Sequence, residues 1–134
     1  MYNVSIIGAS GYTGAQLVQL VIQHPMLSLK GTYVSENSAD AGKNIAELHG
    51  NLAHVNTIFT PISDDILAEL ANGVDFIFLA TPHEASHDWM ATLSSGSAKV
   101  LDLSGAFRLK DTKVFEQFYG FAHTQANSLA QAVY

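Results

Sequence analysis

Cysteine is absent from all 134 residues. That excludes disulfides, thiolate metal sites and a cysteine nucleophile within this stretch. Positive charge is also scarce: 6 Lys and Arg against 12 Asp and Glu give a formal net charge of −6. The six basic residues are scattered, so no cationic cluster exists to neutralise a polyphosphate backbone, and nucleic acid is not an expected partner. No apolar run approaches the roughly 18–20 residues of a membrane span. The opening Met1-Tyr2-Asn3-Val4-Ser5-Ile6-Ile7-Gly8 has no basic segment ahead of its short apolar run, which excludes a standard signal peptide. A soluble cytoplasmic domain without a membrane partner is expected. Charged residues make up only 13% of the chain and apolar ones 48%, a globular composition able to bury one core.

What is present alternates between two periodicities. Val4–Ile7 is a short β-branched run closed by Gly8, and residues 14–23 place Leu17, Val18, Leu20, Val21 and Ile22 at mostly helical spacing before His24-Pro25. Leu29–Val34 reads as a second strand. Residues 35–53 read as an extended connection with a helical turn or more, and Val55–Phe59 as a short strand closed by Pro61. Ser63-Asp64-Asp65 caps a helix through Ile66, Leu67 and Leu70 that Asn72-Gly73 ends. Residues 75–80 form a near-continuous apolar run, as in a central parallel strand covered on both faces. A helix over 84–94 and a strand over 99–103 follow, and the pattern weakens beyond Phe107. Strand–helix alternation predicts an α/β, Rossmann-like doubly wound domain over 1–134, its sheet mainly parallel with helices on both faces. The predicted core contains Ile6, Ile7, Leu17, Val21, Ile77, Phe78, Leu79, Val100 and Leu103.

The strongest local motif is Gly8-Ala9-Ser10-Gly11-Tyr12-Thr13-Gly14, between the first strand and the first helix. Glycines at such a turn let the backbone approach a pyrophosphate, which then rests on free N–H groups at the positive end of the helix. The spacing is G-x-x-G-x-x-G, not the more usual G-x-G-x-x-G, so a turn that binds nothing competes on spacing alone. A P-loop is excluded because no Gly-Lys-Ser/Thr follows, and no Tyr-x-x-x-Lys pair supports a short-chain dehydrogenase. At the end of the second strand an acidic residue would favour NAD by bonding the ribose 2′-hydroxyl. The sequence there is Thr32-Tyr33-Val34-Ser35-Glu36, with Lys43 the only close cation, and it leaves NAD and NADP open.

His83-Glu84-Ala85-Ser86-His87 spells H-E-x-x-H, which on a helix can bind Zn²⁺ through two histidines one turn apart. Against that reading, the motif sits at a helix start, Met90 and Leu93 stand where a metzincin extension needs Gly and His, and no third ligand is evident beyond Asp102. No metal is expected; the plainer reading is that His83 and Glu84 border the cofactor cleft at the helix N-terminus. His24, His49, His54 and His123 read as surface or capping residues.

Taken together, several segments resemble N-acetyl-gamma-glutamyl-phosphate reductases, relatives of aspartate-semialdehyde dehydrogenase. These are the glycine turn, Val34-Ser35 with Ala41-Gly42, residues 78–83 (Phe-Leu-Ala-Thr-Pro-His), residues 101–108 (Leu-Asp-Leu-Ser-Gly-Ala-Phe-Arg) and Tyr119-Gly120-Phe121. The resemblance runs through essentially the whole chain. It implies an NADP-dependent oxidoreductase of arginine biosynthesis that reduces an acyl phosphate to the semialdehyde. Gly8, Ser10, Gly11, Tyr12, Thr13 and Gly14 would hold the pyrophosphate, and Ser35 would face the adenosine 2′-phosphate. Ala80, Thr81 and Pro82 would line the cofactor, with Ser104 and Gly105 near the nicotinamide ribose. Arg108 would clamp the substrate phosphate, a guanidinium fork suiting it, against the plainer alternative of a surface pair with Asp111. No catalytic residue is expected here: the family's cysteine nucleophile and acid–base histidine lie in a second domain, which also makes homo-oligomers of the full-length protein. These residues alone are expected to bind the small-molecule cofactor without turnover. A stand-alone nucleotide sensor is the rival reading, and it has no use for Arg108. Phe115, Phe118, Tyr119 and Phe121 are expected to expose an apolar patch.

Overall fold

A computed structural model describes residues 1–134. Five strands, β1 (Tyr2–Ile7), β2 (Leu27–Val34), β3 (Phe59–Pro61), β4 (Phe76–Leu79) and β5 (Lys99–Asp102), form one sheet in the order β3-β2-β1-β4-β5. Every pairing is parallel. Helices α1 (Tyr12–Gln23), α2 (Ile45–Leu48), α3 (Asp64–Gly73), α4 (His83–Leu93), α5 (Thr112–Tyr119) and α6 (Ala126–Gln131) fill the connections. The register between β1 and β2 slips at Val4/Ser5, leaving Lys30 unpaired.

Strand alternation divides the core in two. Val4, Ile6, Val34 and Phe59 face Ala15, Val18 and Val21 of α1, with Ile45 and Leu52 beside them. On the opposite face, Ile7, Ile77 and Leu79 meet Leu67 and Leu70 of α3, Met90 and Leu93 of α4, Phe107, and Leu129 of α6. Helices on both faces of a parallel sheet are the doubly wound arrangement that the alternating pattern implies. The Ser63 hydroxyl caps α3 by accepting from Ile66 N at 3.2 Å, as its sequence position predicts.

Several expectations need correcting. The third strand is Phe59–Pro61 rather than Val55–Phe59: parallel pairing to Thr32–Val34 begins only at Phe59, and residues 55–58 lie outside it, with Ile58 exposed. Pro61 lies within this short edge strand, where its missing N–H costs least. Leu103 is not core; it lies beyond the end of edge strand β5 and is exposed. Leu17, Phe78 and Val100 are half-buried and pack against the margins of the two core clusters.

The late aromatic patch is the largest departure. Phe115 is fully buried, Tyr119 and Phe121 are half-buried, and only Phe118 of the four is largely exposed. Phe115 stacks on Tyr119 at 4.8 Å between ring centroids and meets Phe121 and His123 edge-on at 5.0 and 4.7 Å. His123 is therefore a core residue rather than a surface one, and His87 lies edge-on to it at 4.6 Å. Both rings are hydrogen-bonded. His123 Nε2–H donates to the Ala106 carbonyl at 2.8 Å while Nδ1 accepts from Gln125 N–H at 3.2 Å. His87 Nε2 accepts from Thr124 N–H at 2.9 Å, and its Nδ1–H donates to Asp88 at 2.8 Å.

Burial holds the His123 imidazole below its ordinary pKa, and the neighbouring His87 lowers it further, against the raising influence of the Ala106 bond. The folded state thus takes up a proton less readily than the unfolded chain. The stabilisation is complete above the unfolded value, near pH 6.5, and is lost as pH falls through the lower folded value. Urea midpoints measured between pH 7.5 and 5 should fall with acidification, and His123→Gln should flatten that dependence while lowering stability at pH 7.5. An equally steep pH dependence in the variant would remove His123 as its source.

Candidate functional site

Because all five strands run the same way, their C-terminal ends share one edge, and the connections after β1, β2, β4 and β5 meet there. Strand order reverses at β1, which pairs with both β2 and β4, and a crevice opens at such a switch point. The sequence-predicted segments gather at this edge. The glycine turn follows β1, Ser35 follows β2, Ala80-Thr81-Pro82 follow β4, and Ser104-Gly105 with Arg108 follow β5.

The three glycines of the turn have different duties. Gly8 has φ of +86°, and a Cβ there would overlap the Ala80 carbonyl oxygen; its N–H and that of Ala9 donate to Tyr33 O at 2.8 and 3.2 Å. One backbone thus brings the ends of β1, β2 and β4 together. Gly14 packs the first turn of α1 onto the loop, where a Cβ would come within 2.6 Å of Ala9 Cα. Gly11, the N-cap residue of α1, is exposed and meets nothing closer than 4.0 Å. The first helical amide to find an acceptor is Ala15 N, on Gly11 O at 2.9 Å. The N–H groups of Tyr12, Thr13 and Gly14 therefore have no acceptor within the chain; Tyr12 and Thr13 are exposed and Gly14 is buried. This is an anion cradle without a cation: free amides at the positive end of a twelve-residue helix, over a glycine with open space.

His49 is a residue whose place the sequence did not disclose. Its Nε2–H donates to Ser10 O at 2.9 Å and its ring lies edge-on to Tyr12 at 6.2 Å, tying the connection after β2 to the glycine turn. A lone histidine 39 residues from its partner carries no local signal. Ser35 and Glu36 are both exposed just beyond β2, and Lys43 lies 3.4 Å from Asp40.

On the other side of the crevice, Thr81 and Ser86 join their hydroxyls at 2.6 Å, bracing the start of α4. Ser104 and Gly105 are buried, a closer packing than their proposed role near a ribose anticipates. Asp102 accepts from Ser104 N at 2.9 Å, His83 Nδ1 accepts from Gly105 N at 2.6 Å, and the Tyr119 hydroxyl fills the space where a Gly105 Cβ would stand. Arg108 is exposed. Its Nη2 donates to Leu103 O at 2.9 Å and its guanidinium lies 5.5 Å from the Tyr134 ring. Asp111 caps α5 through Lys113 N and Val114 N, so the alternative pair with Arg108 is not formed. A cleft of about 500 Å³ beside Arg108 is also lined by Asp102, Ser104 and Phe107.

The H-E-x-x-H reading fails on geometry. His83 and His87 do share one face of α4, but His87 is buried with both ring nitrogens engaged, and His83 gives its Nδ1 lone pair to Gly105.

A glycine turn and free helix amides at the switch point of a parallel sheet define a dinucleotide-binding domain of the Rossmann class. The sequence profile described as "Semialdehyde dehydrogenase, NAD binding domain" matches residues 3–132, and the chain belongs to that family. Its ligand class is therefore a nicotinamide dinucleotide. The chain is 83% identical over 134 residues to the N-acetyl-gamma-glutamyl-phosphate reductase of Alteromonas mediterranea and 58% identical over 135 residues to that of Pseudoalteromonas atlantica. Each match takes in 100% of this chain but 40% of the relative, so the chain spans about two fifths of the length of these proteins. Among solved structures, the aspartate semialdehyde dehydrogenase with NADP from Candida albicans superposes with a TM-score of 0.64 at 14% identity, covering 84% of this chain and 32% of that one. RSP, a Rex-family repressor, in complex with β-NADH gives 0.59 at 20%, covering 78% and 46%. At these identities the two share the fold. No helix is long and apolar enough to cross a membrane.

The division of labour among the glycines is open to test by thermal and urea unfolding. Gly8→Ala should cost at least about 2 kcal/mol, since it adds both a positive-φ penalty and an overlap with backbone. Gly11→Ala should cost less than about 1 kcal/mol, as at any exposed N-cap. Equal losses at the two positions would contradict the assignment of Gly8 to structure and Gly11 to ligand access.

Proposed function

We propose that this chain is the cofactor-binding domain of an NADPH-dependent reductase of the N-acetyl-gamma-glutamyl-phosphate type. The observation that carries the reading is the free amide cradle of Gly11–Gly14 at the switch point, facing the segment after β4 across the Gly8–Ala80 contact. A pyrophosphate would rest on the amides of the turn spanning Gly8, Ser10, Gly11, Tyr12, Thr13 and Gly14. Ser35, exposed immediately beyond β2, would meet the adenosine 2′-phosphate. Ala80, Thr81 and Pro82 would wall the crevice towards the nicotinamide, with Ser104 and Gly105 behind.

Bound here, the nicotinamide supplies a hydride to an acyl carbon. The chain's own residues bind and orient. Arg108, exposed on the loop after β5, would hold the phosphate of a small acyl-phosphate substrate through its guanidinium. A thiolate nucleophile and its acid–base partner must come from residues outside these 134, since the chain has no cysteine. The 83% identity to a reductase two and a half times as long supports that division. We place the protein in the cytoplasm, as a homo-oligomer when a second domain accompanies this one.

Calorimetric titration tests the reading. NADP⁺ should bind with a lower Kd than NAD⁺, and Gly11→Glu should abolish both by placing a carboxylate where the pyrophosphate rests. Ser35→Ala should narrow the NADP⁺/NAD⁺ ratio several-fold. Equal affinity of the wild type for the two dinucleotides would overturn the NADP assignment, and binding of neither would overturn the domain's proposed role.

A further inference from the structure

The loop after β5 poses a question that the proposed function leaves open. Gly105 is buried, its N–H is already donated to His83 Nδ1 at 2.6 Å, and the Tyr119 hydroxyl covers its Cα. No donor on Gly105 remains for a ligand. The exposed side chain that holds the Gly105 amide is His83, first residue of α4, immediately after the Ala80-Thr81-Pro82 wall.

An imidazole that accepts at Nδ1 carries its proton on Nε2 when neutral. His83 Nε2 has no partner within the protein, whereas His87 and His123 have both nitrogens engaged. Tyr119 lies edge-on to the His83 ring at 4.6 Å and restrains its plane. The ring is thus set in tautomer by a backbone amide and in orientation by an aromatic neighbour, with one donor left over. Donors are held this way where they meet a ligand in one geometry.

Resting on the cofactor reading above, we infer that His83 is a binding residue for the nicotinamide half of the dinucleotide, donating Nε2–H to an oxygen of the ribose or carboxamide. Gly105 acts behind it as the positioning group. The zinc-like spacing to His87 is then incidental: the buried His87 accepts from the Thr124 amide while the exposed His83 faces the crevice.

Side chains that replace one ring nitrogen at a time separate the two roles. Asn at 83 keeps an acceptor near the Nδ1 position, and Gln keeps a donor near the Nε2 position. Binding of NADP⁺ and of adenosine 2′-phosphate 5′-diphosphate, which lacks the nicotinamide half, would be measured by calorimetry on the wild type and on His83→Ala, His83→Asn and His83→Gln. The Gly105 amide resonance in the ligand-free chain reports whether the loop is intact. His83→Ala should weaken NADP⁺ about tenfold and leave the fragment within twofold of wild type, with Gln recovering more of the loss than Asn. Unchanged NADP⁺ affinity in His83→Ala would overturn the inference. So would full recovery by Asn with a restored Gly105 resonance, which would make the ring a support for the loop and nothing more. A wild type that binds neither compound overturns the cofactor reading, and this inference falls with it.

Discussion

The contact on which the arrangement depends is backbone against backbone: Gly8 against the carbonyl of Ala80. A side chain at position 8 would have to occupy the space of that oxygen, and its φ of +86° excludes most residues independently. With glycine there, the end of β1 lies flush against the end of β4, and the same turn gives two amides to Tyr33 at the end of β2. Three strand ends are locked into one rim. The free amides of the next turn then have a fixed place relative to the segments after β2 and β4, which any ligand spanning both halves of the sheet requires. Ligand geometry at this edge is inherited from the sheet, and the loops add little freedom of their own.

The far side of the crevice is built by a different device. The loop over residues 103–108 lies outside strand and helix, and apart from the Leu103 and Arg108 amides, which pair with the Leu79 and Gly105 carbonyls, its polar backbone is satisfied one group at a time by side chains. Asp102 takes the Ser104 amide, His83 the Gly105 amide, and Ser104 Oγ the Ala106 amide, while His123 and Arg108 donate to the Ala106 and Leu103 carbonyls. Such a loop is only as rigid as its partners. Two of those partners come from elsewhere in the chain, His83 from α4 and His123 from the stretch after α5, so the aromatic cluster around Phe115 is part of the site's foundation although it lies away from the crevice.

Those two devices also explain what the sequence disclosed. The sheet, the glycine turn and the cap at Ser63 were legible because each is written in neighbouring residues: alternation, a glycine spacing, a hydroxyl three residues ahead of its amide. β3 was displaced because an edge strand of three residues is chosen by its partner, Thr32–Val34, and Val55–Phe59 is locally as good a candidate. The exposure of Leu103 follows from its position past an edge strand, which depends on strand order and not on composition. The burial of His87 and His123 was out of reach for the same reason. Each has a backbone partner far along the chain, Thr124 for His87 and Ala106 for His123, and nothing in the local pattern separates such a histidine from a surface one.

The low count of basic residues, read first as an exclusion, takes on a positive sense beside this geometry. A nicotinamide dinucleotide is a polyanion, yet the chain carries a net charge of −6 and places no lysine or arginine in the glycine turn. The parallel sheet removes the need. It directs the N-termini of α1 and α4 to the same edge, so that partial positive charge from aligned peptide dipoles and uncommitted amides gathers there. Backbone donors also discriminate by position, because they cannot swing towards an anion placed elsewhere. A flexible lysine would bind more kinds of phosphate and hold each less exactly in place for transfer from a ring at the other end of the molecule.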